Sequence, residues 1–461
     1  METKRNGIGV MASYGMGKFL AEFFTGAFAS LVFKYYETEI GLSAGLTAAA
    51  IVLYSVWNAM NDPLIGYLTA RPTVLSARFG RRFPWIFAGA IASCLAFILI
   101  FTPPEKSQAS IFLYLLATIC VYDALYSMWE VNYQSIFPDK FRLGAERSKA
   151  AGIATVVGVL GVAGGAVLPT FFVRYGKPET YRLNAFLFAS LGLLAIGTLL
   201  PGVRETRDMI HRFMDQAKAP SGRKTRGASR ASDSFFSQVG EALKRRNFLA
   251  FILLYFFYQS ATISMTASIH YVGDYLLEGR STTLIFAGML GGALAGVPVW
   301  LGLKRYIRSN QKLLALSAGA LSLLCLPLMI AKSHNGFVIS MFGWGLAFGG
   351  FWMLMTPAMA DVIDEIVVET GRRDDGVYLG FRAFAGRLAY AVQALSFWII
   401  HSLSGFSIDP RSVSAKMGIR LHTALIPSIL LVCGVVVFMA INRLDADSAE
   451  KNRKILEERG L

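Results

Sequence analysis

Apolar runs alternate with short polar segments along nearly the whole chain. Each run has about 20 residues or more, which is enough for a helix to cross the roughly 30 Å hydrocarbon core of a bilayer. The pattern therefore predicts an all-α membrane protein with twelve transmembrane helices. The predicted spans are residues 12–37, 43–70, 84–103, 109–138, 149–173, 183–202, 247–273, 282–303, 311–331, 336–364, 376–403 and 418–442.

One long polar segment, residues 203–246, separates the sixth and seventh predicted spans. It contains "KAPSGRKTRGASRASDS", a composition typical of a flexible loop. We expect an N-terminal six-helix bundle over 1–202, this basic linker, and a C-terminal six-helix bundle with a short tail over 247–461. Six helices, a basic linker and six more helices resemble the plan of major facilitator superfamily transporters, whose substrate sites lie near the membrane midplane.

Lysines and arginines are concentrated in the loops that lead from even-numbered to odd-numbered spans, such as the loop with Arg81 and Arg82. The positive-inside rule places such loops in the cytoplasm. The sequence thus predicts a multi-pass protein of the plasma (inner) membrane with both termini and the linker in the cytoplasm.

Composition narrows the function. The chain is 54% hydrophobic and only 16% charged, against about 25% charged residues in soluble domains. The net charge of +15 lies mostly in loops, so membrane topology explains it better than nucleic-acid binding. The sequence has no nucleophile–base motif, phosphate-binding loop or metal-spaced His/Cys cluster, so we predict a transporter without a cofactor rather than an enzyme.

Four ionisable residues lie deep inside predicted spans: Glu22, Asp62, Glu130 and Arg387. Such a residue costs about 2.5–3.5 kcal/mol or more at a helix centre and is by default a functional candidate. Counted along each helix at 1.5 Å per residue, all four lie roughly 12–16 Å from the cytoplasmic end. Their common depth predicts a shared functional layer.

Structural explanations compete with this hypothesis. Glu22 could pair with Lys18, one helical turn earlier. Asp62 precedes Pro63 and could satisfy backbone groups at a helix break. Arg387 could extend toward the headgroups.

Three further ionisable residues have open roles. Asp123 is two turns from Glu130 on the same helix face, and could be a second pathway acid or form a structural hydrogen bond. His270 and His401 lie near the outer ends of spans, so we expect them at the membrane interface; a proton relay is the alternative.

Several motifs in both halves of the chain resemble the glycoside–pentoside–hexuronide:cation symporters, the family of the melibiose permease. The motifs are "SYGMGKFLAE", "YYETEIGLS", "NAMNDPLIGYL", "ARFGRRFPWI", "YQSIFPDKFRLGAERSK" and "MADVIDEIVVETGRRDDGVYLGFRAFAGR". The resemblance implies cation-coupled symport of a sugar or glycoside by alternating access.

The resemblance also implies roles for individual residues. The two sugar-binding acids of the family fall on Glu22 and Glu130, which are glutamates here. The other substrate-binding positions fall on Tyr126, Trp352 and Arg387. Carboxylates accept strong charge-assisted hydrogen bonds from sugar hydroxyls.

The cation site of the resembled family falls on Asn58, Asn61, Asp62 and Ser127. The family has a second acid at the position of Asn58, so a single carboxylate remains. Sodium prefers several oxygen ligands, anionic ones included, whereas one desolvated carboxylate readily takes up a proton. The sequence therefore favours a proton over sodium as the coupling cation, with no metal site beyond a possible sodium at Asp62.

Other departures leave the substrate open. A sugar-site arginine of the family is Thr155 here, its stacking tryptophan is Gln134, with Trp129 nearby, and a hydroxyl is Ala383. A lysolipid or another amphiphile is the alternative cargo, and a non-transporting sensor or scaffold is an alternative of another class.

We expect basic and acidic loop residues to form cytoplasmic gate contacts that exist in one transport state and part in the other. Topological charge alone is the competing explanation. The gate candidates are Arg81, Arg82, Arg372, Arg373 and Asp374.

Overall fold

The computed structural model describes residues 6–69, 76–104, 107–141, 144–211, 240, 243–371 and 375–459. Eleven helices in these residues are long and apolar enough to cross a membrane. The predicted second span is a further continuous helix of 26 residues, Ala44–Thr69. The predicted all-α transmembrane fold is confirmed, and the chain divides into two compact units, Met1–Arg226 and Gly227–Leu461.

The helices of unit 1 are α1 (Ile8–Lys34), α2 (Ala44–Thr69), α3 (Ser76–Phe79), α4 (Phe83–Ile100), α5 (Gln108–Lys140), α6 (Gly144–Phe172) and α7 (Pro178–Val203). The first helix continues into a π-helical turn, Tyr35–Glu39. Unit 1 is built around α1, which packs along α6 and α7, while α5 packs on α2 and α4.

The helices of unit 2 are α8 (Arg246–Tyr271), α9 (Thr283–Tyr306), α10 (Asn310–Cys325), α11 (Pro327–Ile330), α12 (His334–Thr370), α13 (Asp375–Leu403), α14 (Val413–Arg420), α15 (Ile426–Ile441) and α16 (Ala446–Arg459). Two π-helical turns occur here, Val272–Leu276 after α8 and Leu421–Leu425 before α15. Unit 2 has a layout that corresponds to that of unit 1: α8 packs on α13 and α15, and α12 packs on α9 and α10.

Helix ends follow ordinary capping chemistry. The Ser333 hydroxyl accepts a hydrogen bond from the Gly336 amide at 3.1 Å and begins α12. Gly371, with φ of +66°, ends the same helix in the left-handed conformation. The helix α16 was not predicted, because its 14 residues are mostly polar and only a few, such as Leu456, are buried.

Glycines bring two helix pairs into close contact. A methyl group at Gly165 of α6 would lie 2.5 Å from the backbone oxygen of Phe23 on α1, and one at Gly288 of α9 would lie 2.8 Å from the backbone oxygen of Val338 on α12. A side chain at either position would force the helices apart, so each pair is a tightly packed body.

Candidate functional site

The predicted substrate residues of unit 1 lie where α1 meets α5. The Tyr126 hydroxyl donates to the backbone oxygen of Ala21, next to Glu22, at 3.3 Å, and lies 3.3 Å from the Thr25 hydroxyl. Glu130 is one turn further along α5. The structure therefore brings Tyr126 of α5 against α1 at the residue that precedes Glu22.

A pair of tyrosines, about two helical turns away, also joins α1 and α5. Each hydroxyl donates to the backbone oxygen of the other residue, Tyr14 to Tyr133 at 3.2 Å and Tyr133 to Tyr14 at 2.9 Å. Their rings stack with centroids 4.5 Å apart. The reciprocal pair sets the register of α1 against α5.

Glu22 forms the ion pair that was the structural alternative for it: its carboxylate lies 2.6 Å from Lys18 Nζ. The Glu22 side chain is 19% exposed and that of Lys18 is 42% exposed. The pair presents both a negative and a positive group at one position, which suits a ligand that carries donors and acceptors.

The other substrate candidates lie on α5, α12 and α13. Glu130 accepts a hydrogen bond from Gln134 on the same helix. Trp129 is fully buried within unit 1, so it offers no open aromatic face for stacking. Trp352 on α12 and Arg387 on α13 are half-buried and belong to unit 2.

The predicted cation residues lie where α2 meets α5. Asn61 Nδ2 donates to Asp123 Oδ2 at 3.0 Å and contacts the Asp123 backbone oxygen at 3.3 Å. Asn61 and Asp123 are each only 2% exposed. Asn58 lies one helical turn before Asp62 on α2. Its Nδ2 atom donates to the Tyr54 hydroxyl at 3.0 Å. The helix runs on past Asp62 to Thr69, so the alternative of a helix break at this point is wrong.

Ser127 completes the α5 side of this cluster. It lies one turn after Asp123, is fully buried, and its hydroxyl has no hydrogen-bond partner among the described residues. Membrane serines commonly donate to the carbonyl four residues earlier, as Ser55 does to Ile51 at 2.8 Å. For Ser127 that carbonyl belongs to Asp123, and Asn61 already contacts it.

A carboxylate that the sequence analysis missed organises one end of unit 1. Glu205 accepts from the backbone amides of Arg81 at 2.6 Å and Arg82 at 2.8 Å. The Arg82 guanidinium lies 3.6 Å from Asp139, and Lys140 Nζ donates to the Arg204 backbone oxygen at 2.8 Å. We call this region the basic end of unit 1. Nothing in the sequence around Glu205 distinguishes it from a loop acid.

Burial governs the ionisation of the basic end. It raises the pKa of Glu205 and lowers the pKa of Lys140 to about 8 and that of Arg82 to about 10. Of the predicted gate residues, Arg81 and Arg82 lie in this region, whereas Arg372, Arg373 and Asp374 lie outside the described residues.

A buried ion pair at the other end of α1 was also missed. Lys34 Nζ lies 3.3 Å from Glu39 Oε1, and both side chains are almost completely buried. Glu39 also accepts from the Gly176 amide at 2.9 Å and the Tyr181 hydroxyl at 3.1 Å. The sequence signal was present, because Lys34 is a basic residue inside a predicted span.

His270 and His401, whose expected place at the membrane interface stays a prediction, are both buried inside unit 2, at 1% and 0% exposure. Nε2 of His401 lies 3.2 Å from Nε2 of His422. Nδ1 of His422 lies 2.7 Å from the Ser268 hydroxyl. The sequence did not indicate this burial, since a position near the end of a span does not show which neighbour the side chain faces.

Unit 2 contains a second buried Asn–Asp pair. Asn310 Nδ2 donates to Asp361 Oδ2 at 2.7 Å, and Asp361 is 3% exposed. Arg453 of α16 donates to the other oxygen of the same carboxylate. The tail helix therefore supplies a positive charge to this buried acid.

Comparison with known proteins assigns the chain to a family. A family model described as MFS/sugar transport protein matches residues 13–444. The sodium-dependent lysophosphatidylcholine symporter 1 of Mus musculus is 22% identical and covers 94% of this chain and 85% of its own. The lactose permease of Lactobacillus helveticus is 24% identical and covers 98% of this chain and 69% of its own.

A solved structure shares the fold. The inward open structure of the xylose transporter XylE from E. coli has a TM-score of 0.60 and 14% identity, over 96% of this chain and 98% of that chain. At this identity the likeness concerns the fold alone.

Proposed function

The chain belongs to the family of MFS/sugar transport proteins, and on this premise we propose that it is a cation-coupled symporter of a sugar or glycoside, of the melibiose-permease-like branch. It works by alternating access in the plasma membrane, with both termini cytoplasmic. The basic loops between spans support that orientation.

One observation carries the proposal: α5 takes part in both candidate sites. Asp123 and Ser127 face the cation residues of α2, while Tyr126 contacts α1 beside Glu22. Tyr126 and Ser127 are adjacent in sequence, so a shift of α5 at one contact is transmitted to the other. A single rigid helix thus couples ion occupancy to substrate binding.

The mechanism follows from these contacts. A cation at Asp62 offsets negative charge in the α2–α5 cluster and favours the arrangement of α5 in which Glu22 and Glu130 accept hydrogen bonds from substrate hydroxyls. The electrochemical gradient then drives the loaded transporter. One charge that crosses the whole potential supplies about 2.3 kcal/mol per 100 mV.

A second candidate cargo is a lysolipid or similar amphiphile. Trp129 is fully buried, so α5 lacks an exposed aromatic face for a pyranose ring. The Lys18–Glu22 pair offers both charges to a zwitterionic headgroup. The lysophosphatidylcholine symporters among the relatives support this candidate.

Ion flux in vesicles tests the proposal. The full-length protein is reconstituted, and internal pH and sodium are recorded while sugars, glycosides and lysolipids are added in turn. We expect one solute class to trigger an ion signal that Asp62→Asn abolishes. Asp361→Asn is the matched control, because it removes another buried carboxylate and should keep the signal.

The outcomes separate the candidates. A signal with lysolipid alone would replace the sugar by the amphiphile. Accumulation of solute against its gradient by Asp62→Asn would overturn cation coupling. If no solute moves ions and variants at Glu22, Asp62 and Glu130 behave as the native chain, a sensor or scaffold becomes the better explanation.

A further inference from the structure

We propose that His401 and His422 together form a proton-binding site in unit 2, which holds one proton more than the two neutral rings carry. His401 lies on α13 and His422 in the π-helical turn Leu421–Leu425. The inference goes beyond the proposed function, whose cation residues lie on α2 and α5 of unit 1. It does not depend on which solute the chain transports.

The contact between the two rings is the first support. Their Nε2 atoms lie 3.2 Å apart, and both side chains are 0% exposed. Two imidazole nitrogens form a hydrogen bond when one carries a hydrogen and the other accepts it. The two histidines therefore bind protons as a coupled pair and not as two independent groups.

Ser268 of α8 fixes the direction of this hydrogen bond. Its hydroxyl donates to the backbone oxygen of Ser264 at 2.6 Å, as membrane serines commonly do. The Ser268 oxygen is therefore the acceptor for Nδ1 of His422, 2.7 Å away. His422 then carries its hydrogen on Nδ1 and accepts at Nε2 from His401 Nε2. This tautomer assignment follows from the hydrogen-bond network, and it leaves Nδ1 of His401 as the atom that receives a further proton.

The pair suits a single additional proton. With His401 positively charged, the hydrogen bond between the Nε2 atoms becomes charge-assisted and stronger. A second additional proton would set two N–H groups against each other and two positive rings 5.1 Å apart between centroids. Among the described residues, no group of three or more His, Cys, Asp or Glu could hold a metal ion, so a proton is the ligand that two imidazoles suit.

Aromatic rings surround the pair and form the second support. Phe406 stacks on His401 with centroids 4.2 Å apart, and Phe397 lies 4.4 Å from His422. The Tyr271 ring lies 5.2 Å from His401 and 5.5 Å from His422. Aromatic faces within about 6 Å attract a cation, most strongly where water is excluded. This environment partly offsets the cost of burying a positive imidazole.

Other titratable groups lie on the elements that pack on the pair. The Arg420 guanidinium, two residues before His422, donates to the backbone oxygens of Met329 and Ala331 at 2.7 Å each. These carbonyls hold the positive charge of Arg420. The other titratable side chains near the same ends of the packed elements are His270, Asp274, Tyr275, Cys325 and Lys416.

The π-helical turn gives the pair a route to exchange its proton. Both rings are fully buried, so a proton enters or leaves when the packing around them opens locally. Single π-helical turns are frequent at functional sites. Pro427, just beyond this turn, has no amide hydrogen to donate to the Thr423 carbonyl four residues earlier. We therefore expect the turn that carries His422 to be the element that moves.

A neutral hydrogen-bonded pair that serves packing alone is the competing explanation. Such a pair would hold the same protons at every pH at which the chain is folded. His270 is the matched control, because it is another buried histidine of unit 2, at 1% exposure, and its ring lies 5.5 Å from that of Phe286.

Nitrogen-15 NMR of the full-length protein in lipid, labelled at histidine alone, tests the inference. The chain has 5 histidines, so the spectrum contains few ring signals, and each reports whether its nitrogen is protonated. The pH is lowered from about 8 to about 5, the range in which histidine ordinarily changes charge. We expect Nδ1 of His401 to gain a proton while Nε2 of His422 remains an acceptor. The coupling between the two hydrogen-bonded nitrogens identifies the pair in the native chain.

Variants make the result specific. His401→Gln and His422→Gln should each abolish the additional protonation, and the remaining histidine of the pair should stay neutral down to about pH 5. His270→Gln should keep it. Phe406→Leu retains both histidines but removes the ring stacked on His401, so it should move the additional protonation to lower pH. If the histidine variants do not fold, the spectrum of the native chain still decides.

The outcomes are distinct. Unchanged protonation of all ring nitrogens of the pair in the folded native chain overturns the inference. An additional protonation of His401 that survives His422→Gln overturns the shared site. A pair that stays neutral in a chain with solute-driven ion flux overturns this inference and leaves the proposed function intact. A proton on the pair in a chain that moves no ion with any solute supports the inference and overturns the proposed function.

Discussion

Asp123 in unit 1 and Asp361 in unit 2 are both buried, and each accepts a hydrogen bond from an asparagine of a neighbouring helix. Their surroundings differ. Asp361 also binds Arg453, a cation supplied by the chain. Asp123 instead contacts Asn61, one of the predicted cation residues of α2.

The difference teaches where to look for an ion site among buried acids. A carboxylate that the chain itself provides with a cation holds the fold together. A carboxylate that contacts predicted cation residues is the better candidate for a role in transport. Three experiments test whether lysine and arginine side chains near buried acids serve the stability of the fold. They are given from the largest expected effect on the free energy of unfolding to the smallest.

Glu39→Gln should cause the largest loss of stability. It leaves Lys34 buried without the carboxylate that lies 3.3 Å away, and the loss of one partner of a buried pair costs about 3–5 kcal/mol. Chemical denaturation in detergent measures the free energy of unfolding. The double variant Lys34→Met/Glu39→Gln should recover most of the loss and keep the ion signal of the native chain in vesicles. Loss of the ion signal in the folded double variant would break the comparison.

The second experiment concerns Lys140, a buried lysine that lies just beyond the predicted span 109–138. Burial lowers its pKa in the folded state from the ordinary 10.5 to about 8, so the unfolded chain binds more protons between these values. Stability should therefore rise with pH from about 8 to about 10.5 through this group. At about 1.4 kcal/mol per pKa unit, the upper limit is about 3.5 kcal/mol.

The variant Lys140→Met isolates this contribution, because all other titrating groups are shared with the native chain. The difference in unfolding free energy between the two proteins should change across that pH range in favour of the native chain. A constant difference would show that Lys140 keeps its ordinary ionisation.

Arg453→Met should have the smallest effect. It removes the positive partner of Asp361 but keeps an apolar stem, and the Arg453 side chain is 53% exposed. Water can partly replace the guanidinium, so we expect a loss of about 1–2 kcal/mol rather than the full value for a buried pair. Denaturation midpoints measure it. A gain of sodium-dependent stability in this variant would show that Asp361 can itself become an ion site.

The sequence predicted the helices well and their contacts poorly. Apolar length alone locates spans such as α4 and α15, because the bilayer imposes it. The polar residues Asn58, Asn61 and Asp62 were identifiable as one helix face from their spacing. The partner of that face was not, since the choice between a pathway acid and a structural acid at Asp123 depends on how α5 is rotated toward α2.

Other features depend on packing that no local pattern encodes. Glu205 is an ordinary loop acid until the chain folds and its carboxylate meets two backbone amides. His401 and His422 are 21 residues apart and meet only through the packing of α13 against the π-helical turn.

The close glycine contacts offer a practical benefit for spectroscopy. Because α1 and α6 touch through backbone at Gly165, and α9 and α12 do so at Gly288, a pair of probes on the outer faces of either helix pair should keep a constant separation throughout turnover. Such a pair is an internal ruler. Any distance between α2 and α5 that varies while the ruler stays fixed can then be assigned to the α2–α5 contact itself rather than to deformation of the whole bundle.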